Sequence, residues 1–135
     1  MVIYINIFVQ ELSLTEVPNS AAYFKGGAVV HSPDMAVAHG VPAAIVQSHG
    51  IISQESATAM AQAIRTQLGA DIGIGVAGVL GPAVVEDKPV GLASVAIATA
   101  STLYTQGVHV LTRRVTIKWR VSNTALIELC KLLRG

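Results

Sequence analysis

Chemistry in this chain of 135 residues would have to come from a few places. The run Gly-Val-Ala-Gly-Val-Leu-Gly-Pro at 75–82 follows an apolar stretch and spaces its glycines where a backbone could closely approach a ligand. In α/β sheets ligands gather at the carboxyl ends of strands. The run matches neither the dinucleotide fingerprint nor a P-loop, since no Gly-Lys-Ser/Thr closes it. A phosphate-cradling turn and a plain tight turn both remain open. His31 could act as a base near neutral pH, and Ser32 is adjacent. Neighbours on a strand point to opposite faces, so the pair is poorly set for a mutual hydrogen bond. His31 is the one catalytic candidate, weighed against a non-catalytic, pocket-lining histidine. His31, Asp34 and His39 have loosely ligand-like spacing, but Pro33 and Gly40 interrupt it and no metal site is expected. Glu86 and Asp87 read as a solvated turn.

The elements that must position these residues are legible as patterns. Residues 53–68 predict the clearest helix: Ser53 is a good N-cap, Glu55 lies in the first turn and Gly69 is a stop. Ala57, Met60, Ala61, Ile64 and Leu68 recur at spacings of three and four, which gives one buried face. A second helix is predicted over 118–133, with Val121, Ala125, Leu129 and Leu132 on a common stripe. A short helical pair is expected over 34–46, broken at Gly40 and Pro42. Stretches rich in β-branched residues predict strands at 27–30, 72–77, 90–99 and 108–117. Strands interleaved with helices imply an α/β layered fold whose sheet is covered on both faces.

Composition bounds the partners. The length fits one domain, 1–135, large enough to fold without disulfides or metal. Cys130 is the only cysteine, which excludes an intramolecular disulfide and a Cys-based zinc site. Aromatic residues make up 4% of the chain, too few for a platform that stacks single-stranded nucleic acid. Charge is uneven: residues 1–112 carry net −4 and residues 113–135 carry net +5. The basic end is a candidate anion site, against the plainer reading of a solvated helix with cations near its C-terminus. Mean hydropathy is +0.58. The two longest uncharged stretches nonetheless contain Gly, Pro, His, Gln, Ser and Thr, so no membrane span is expected. Residues 1–8 have no basic n-region and no small-residue cleavage site. The expected location is the cytoplasm.

Five blocks in order carry a specific resemblance. Val-Pro-Asn-Ser-Ala-Ala-Tyr-Phe-Lys-Gly-Gly at 17–27, His-Gly-Ile-Ile-Ser-Gln-Glu-Ser-Ala-Thr-Ala-Met-Ala at 49–61, Leu-Gly-Ala-Asp-Ile-Gly at 68–73, Gly-Val-Leu-Gly-Pro at 78–82 and Lys-Pro-Val-Gly at 88–91 together resemble the C-terminal domain of the CinA family. The resemblance spans about residues 11–135 and implies a three-layer α/β/α sandwich. It also implies kinship with nicotinamide mononucleotide amidohydrolases, which convert the nucleotide's carboxamide to the acid and release ammonia. Family members open with Glu-Ser-Cys-Thr-Gly-Gly, which supplies a nucleophilic serine. Here residues 1–8 read Met-Val-Ile-Tyr-Ile-Asn-Ile-Phe, residues 1–10 diverge, and the chain is expected to begin too late for the family's first strand. Where the family shows Tyr-Ser-Asn-Glu-x-Lys, His31 replaces the tyrosine and Ala36 the lysine. Ala77 stands where threonine is frequent, and the segment at 83–86 is one residue shorter. Arg114 matches an arginine that follows a Gly-Asp pair in the family.

A lysine can activate a serine only when it is present and its pKa is depressed. Alanine at position 36 removes that base. The expected function is therefore a family member that has lost amidohydrolase activity and keeps a pocket for a pyridine nucleotide or another phosphate ligand. Gly26, Gly27, His31, Gly78, Gly81, Pro82 and Arg114 would line that pocket. Two alternatives stand beside it. One is a working amidohydrolase that uses substitute residues or whose start lies upstream of Met1. The other is an interaction module whose apolar surface forms a homo-oligomer. No cofactor and no specific nucleic-acid partner are expected.

Overall fold

The structure, a computed structural model, describes residues 2–5, 18–79 and 81–135, with side chains from residue 18 onward except at 114 and 115. Five strands form one sheet: β1 (Val2–Ile5), β2 (Gly26–Val29), β3 (Gly73–Gly78), β4 (Leu92–Ala98) and β5 (Leu103–His109). Their order is β2-β1-β3-β4-β5. β1 runs parallel to both β2 and β3, while β3–β4 and β4–β5 pair antiparallel. Helices α1 (Pro33–Ala38), α2 (Ala43–His49) and α3 (Gln54–Gln67) link β2 to β3, and α4 (Arg114–Arg134) follows β5.

Strand alternation sorts the core into two layers, because successive side chains leave opposite faces. Ile74 and Val76 of β3 and Ala93, Val95 and Ile97 of β4 face α4, where Ile117, Val121, Ala125 and Leu129 recur every four residues. The opposite face carries almost no side-chain bulk, since Ala77, Ala96 and Ala98 meet Ala57 and Ala61 of α3. Gly73 and Gly75 let that helix come closer still. A Cβ at Gly73 would lie 2.1 Å from the Ala61 carbonyl oxygen, and one at Gly75 would lie 2.0 Å from that of Ala57. A third cluster around Val30, Ala36, Val41, Ile52, Met60 and Ile64 seals α1 and α2 onto α3. Helices on both faces of the sheet make the α/β/α sandwich.

Several expectations change in the structure. The predicted strand at 108–117 divides: β5 ends at His109 and α4 begins at Arg114. Ile117 belongs to the four-residue stripe on α4, so tertiary packing overrides the β-branched composition of Val115, Thr116 and Ile117. The N-terminal residues form a strand after all. Val2–Ile5 sits inside the sheet between β2 and β3, so these apolar residues supply a first parallel strand. Half of the glycine run at 75–82 is likewise strand rather than loop.

Candidate functional site

The register of the parallel strands defines two edges of the sheet. Val2 lies beside Gly26 and Gly73, and Ile5 lies beside Val29 and Val76. The carboxyl ends of β1, β2 and β3 therefore share one edge, and the chain leaves that edge into loops at His31 and Val79. Gly26 and Gly27 start β2 at the other edge, where Leu68 at the end of α3 approaches Gly26. Five residues of β3 separate the two edges, about 17 Å at the rise of a strand. Of the expected ligand contacts, His31, Gly78, Gly81 and Pro82 gather at or just beyond the carboxyl edge, and Gly26 and Gly27 do not. The backbone of Arg114 opens α4 past the carboxyl end of β5. Its side chain lies outside the described residues.

His31 is exposed beside β2's end, but its neighbour is committed elsewhere. Ser32 caps α1, its Oγ accepting the Met35 N–H at 3.3 Å. Pro33 follows at the first helical position, where its missing N–H costs nothing. The cap uses one acceptor site of this hydroxyl and fixes its oxygen against the first turn of α1. Ala36 is completely buried within the α1–α2–α3 cluster. The position matched to the family's lysine is thus a packed methyl group, and no amine reaches the edge from there.

Beyond Gly78 the chain makes an exposed hairpin and returns. Val79 N–H donates to the Leu92 carbonyl at 2.9 Å, and Gly91 N–H donates to that of Val79 at 2.8 Å. Val110 N–H then donates to Gly91 at 2.9 Å, which ties β3, β4 and the exit of β5 together. Gly91 has φ +90, and a Cβ there would sit 1.9 Å from the Val110 oxygen, so only glycine fits. Glu86 and Asp87, with φ 53 and 58, are the two central residues of the hairpin closed by Val85 and Lys88. Asp87 is exposed, as expected of a solvated turn, but Glu86 is not merely solvated. Glu86 accepts the Ile51 N–H at 2.9 Å and the Ile52 N–H at 3.2 Å. Lys88 donates to the His49 carbonyl at 3.0 Å and to that of Ile52, and it faces Glu86 at 3.5 Å. Residues 86 and 88 clamp the loop that enters α3.

Beside that clamp lies a cavity of about 500 Å³ that none of the sequence-predicted contacts line. Its walls are the first turn of α3 (Ser53, Gln54, Glu55), His49 and Lys88, and its floor is β4 and β5 at Leu92, Ser94 and Gly107. Ser53 Oγ caps α3 by accepting the Ser56 N–H at 3.0 Å. His49 Nδ1 stands 3.8 Å from the Glu55 carboxylate at the exposed rim. The helix start was legible through Ser53 and Glu55. The floor was not, because Ser94 and Gly107 meet only through the β4–β5 register.

Perturbed titration lies elsewhere, where β5 meets α4. Lys131 donates to Glu128 at 2.7 Å, which holds that carboxyl below its ordinary range and raises the Lys131 ammonium. Burial, with Glu128 nearby, raises the Tyr104 hydroxyl. Among the described residues no group of three His, Cys, Asp or Glu converges in a metal-binding arrangement. No helix among them is long and apolar enough to cross a membrane.

The profile of the CinA C-terminal domain matches residues 10–133. A protein of Moorella thermoacetica named for competence-damage induction is 37% identical over 124 residues, which are 90% of this chain and 30% of that protein. A CinA-like protein of Frankia casuarinae is 35% identical over 123 residues, 90% of this chain and 28% of its own. The chain thus spans under a third of these relatives. Among solved structures, the competence/damage inducible protein CihA from Agrobacterium tumefaciens superimposes with a TM-score of 0.91 at 25% identity, covering 98% of this chain and 84% of that one. A CinA superfamily protein from Enterobacter cloacae gives 0.90 at 24%, covering 98% and 81%.

Proposed function

The chain belongs to the family of the CinA C-terminal domain, and from that premise we propose that it is a member without hydrolytic chemistry, related to nicotinamide mononucleotide amidohydrolases and keeping a phosphate-binding edge. The observation that carries the loss is Ala36, fully buried where the family's lysine would stand. Ser32, the nearest hydroxyl to His31 in sequence, is occupied as a helix cap. A serine hydroxyl without a neighbouring base is a poor nucleophile. Purified protein incubated with nicotinamide mononucleotide should release no ammonia above a buffer control. Turnover that disappears in His31→Ala overturns the reading.

The retained ligand would be a pyridine nucleotide or another phosphate compound. It would bind at the carboxyl edge, at Gly78, Gly81 and Pro82 after β3, with His31 two strands away on one side and the Arg114 backbone beyond β4 and β5 on the other. Glycine at 78 and 81 lacks the Cβ that would hold a phosphate away from the backbone at the strand end, and the guanidinium of Arg114 is a permanently charged fork for phosphate oxygens. Gly26 and Gly27 drop out because they lie at the other edge. A cytoplasmic location belongs to the same reading and is supported by a lone, free cysteine, Cys130.

Self-association is supported by a separate observation. Trp119, Ile127 and Leu133 on α4, and Leu111 just before it, are exposed. A second shallow cavity between Leu126, Ile127 and Cys130 lies along the same helix. A second copy of the chain covering this face would remove that apolar surface from water. Light scattering at micromolar concentration should give more than the monomer mass, and a monodisperse monomer overturns it.

A further inference from the structure

The cavity at the start of α3 holds a polar group that the fold does not use. Ser94 keeps only 8% of its surface exposed and lines the cavity. The alternation of β4 turns it toward α3, on the side of Ala96 and Ala98. Among the described residues no hydrogen-bond partner meets its Oγ, although its neighbours on that face are alanines. The hydroxyl opens into the cavity, so the hydrogen bond that the fold does not supply is left for solvent or a ligand to make.

The groups around it favour a ligand. Gly107 pairs directly with Ser94 across β4 and β5. A Cβ at Gly107 would lie 2.9 Å from the Gln54 side-chain nitrogen, so this mid-strand glycine makes room for that amide over the floor. Hydroxyl and amide therefore converge on one spot, at the positive end of the 14-residue helix α3. The cap satisfies only part of that helix end. Ser56 N–H goes to the Ser53 side chain and Ala57 N–H to the Ser53 carbonyl. The N–H groups of Gln54 and Glu55, the first two of the helix, have no intrahelical partner. Lys88 adds an ammonium at the wall. Two carbonyls and Glu86 already hold it, so it contributes charge in a fixed place. Against these donors stand two carboxylates: Glu55, half-exposed at the rim and facing His49, and Glu86, which faces Lys88 from outside the lining and offsets part of its charge.

We propose that this cavity is a second binding site, for a small oxyanion, carboxylate or phosphate. Ser94 and the Gln54 amide would donate to it from the floor, and the start of α3 would donate from the wall. The site shares no lining residue with the carboxyl-edge contacts proposed above, although its floor adjoins them, Ala93 pairing with Gly78 and Ser94 with Ala77.

Isotope-labelled protein titrated separately with inorganic phosphate and with acetate tests the proposal through backbone amide shifts. The expected result is saturable movement of Gln54, Glu55, Ser94 and Gly107 at millimolar anion. Response to phosphate alone identifies a phosphate site, and response to acetate alone a carboxylate site. Ser94→Ala removes an oxygen that holds nothing in the fold, so it should melt with the wild type and bind about tenfold more weakly. Gln54→Ala should weaken binding in the same direction. The proposal is overturned if neither anion moves these signals saturably, if movement is confined to residues 113–134, or if both variants bind as the wild type does.

Discussion

Gly75→Ala should be among the most damaging single-methyl additions in the molecule. Its Cβ would sit 2.0 Å from the Ala57 carbonyl oxygen and 2.9 Å from the Ala61 nitrogen, both backbone atoms of α3 that no rotamer change can move. Relief requires the helix to back away from the sheet by about 1 Å. A gap of that order forfeits roughly a quarter to a half of the dispersion attraction at each contact it opens. The contacts at risk join Ala57 and Ala61 to Ala77, Ala96 and Ala98, all essentially buried. Overpacking of this kind costs about 3 kcal/mol, or a fall in melting temperature of roughly 10 °C for a domain of this size. Urea unfolding followed by circular dichroism measures it. Gly69→Ala is the control, because a Cβ there meets nothing within 4 Å and only its φ of +56 is strained. It should cost about 1 kcal/mol. If Gly75→Ala unfolds within about 0.5 kcal/mol of the wild type, the ordinary range for an inconsequential surface change, then the close approach of α3 is not what that glycine is for.

Glu86→Ala leaves the Ile51 and Ile52 N–H groups without their carboxylate and should lower stability by about 2 kcal/mol. An unchanged urea midpoint would show that the clamp holds nothing. Asp87→Gly, exposed at φ 58, should instead raise stability by about 1 kcal/mol by relieving left-handed strain at the hairpin tip. The Glu128–Lys131 pair makes a prediction about acid. Because Glu128 is depressed in the fold, its contribution is fully present above the unfolded carboxylate pKa and is lost as pH falls through the lower folded value. The difference in melting temperature between wild type and Glu128→Gln should be constant near neutrality and shrink toward zero in acid. A difference that grows in acid would contradict the assignment.

Sequence patterns revealed elements whose signals are local. Ser53, Glu55 and the spacing from Ala57 to Ile64 announce α3 because capping and helical periodicity act within a few residues. The small residues on the sheet's α3 face read as an undistinguished apolar strand, and their meaning appears only when the helix is laid against them. The start of α4 was misread for a related reason. Val115, Thr116 and Ile117 favour strands locally, and only their continuation into Val121, Ala125 and Leu129 makes them helix. Site residues divide the same way. His31 and the run 78–82 were singled out by type and neighbourhood, while Gly26 and Gly27 were grouped with them without knowledge of the register. Glu86 and Lys88 act through partners 34 to 39 residues away, and Ser94 meets Gly107 only across the sheet, distances that no local pattern encodes.

Binding without turnover can be read in one experiment: a proton NMR time course of nicotinamide mononucleotide with substoichiometric protein. The pyridine-ring signals should broaden or shift on adding protein, while no signals of the deamidated acid grow in over the time course. Accumulation of the acid, at a rate abolished by His31→Ala, would contradict the loss of hydrolytic chemistry, and ring signals unmoved by the protein would contradict the retained ligand edge.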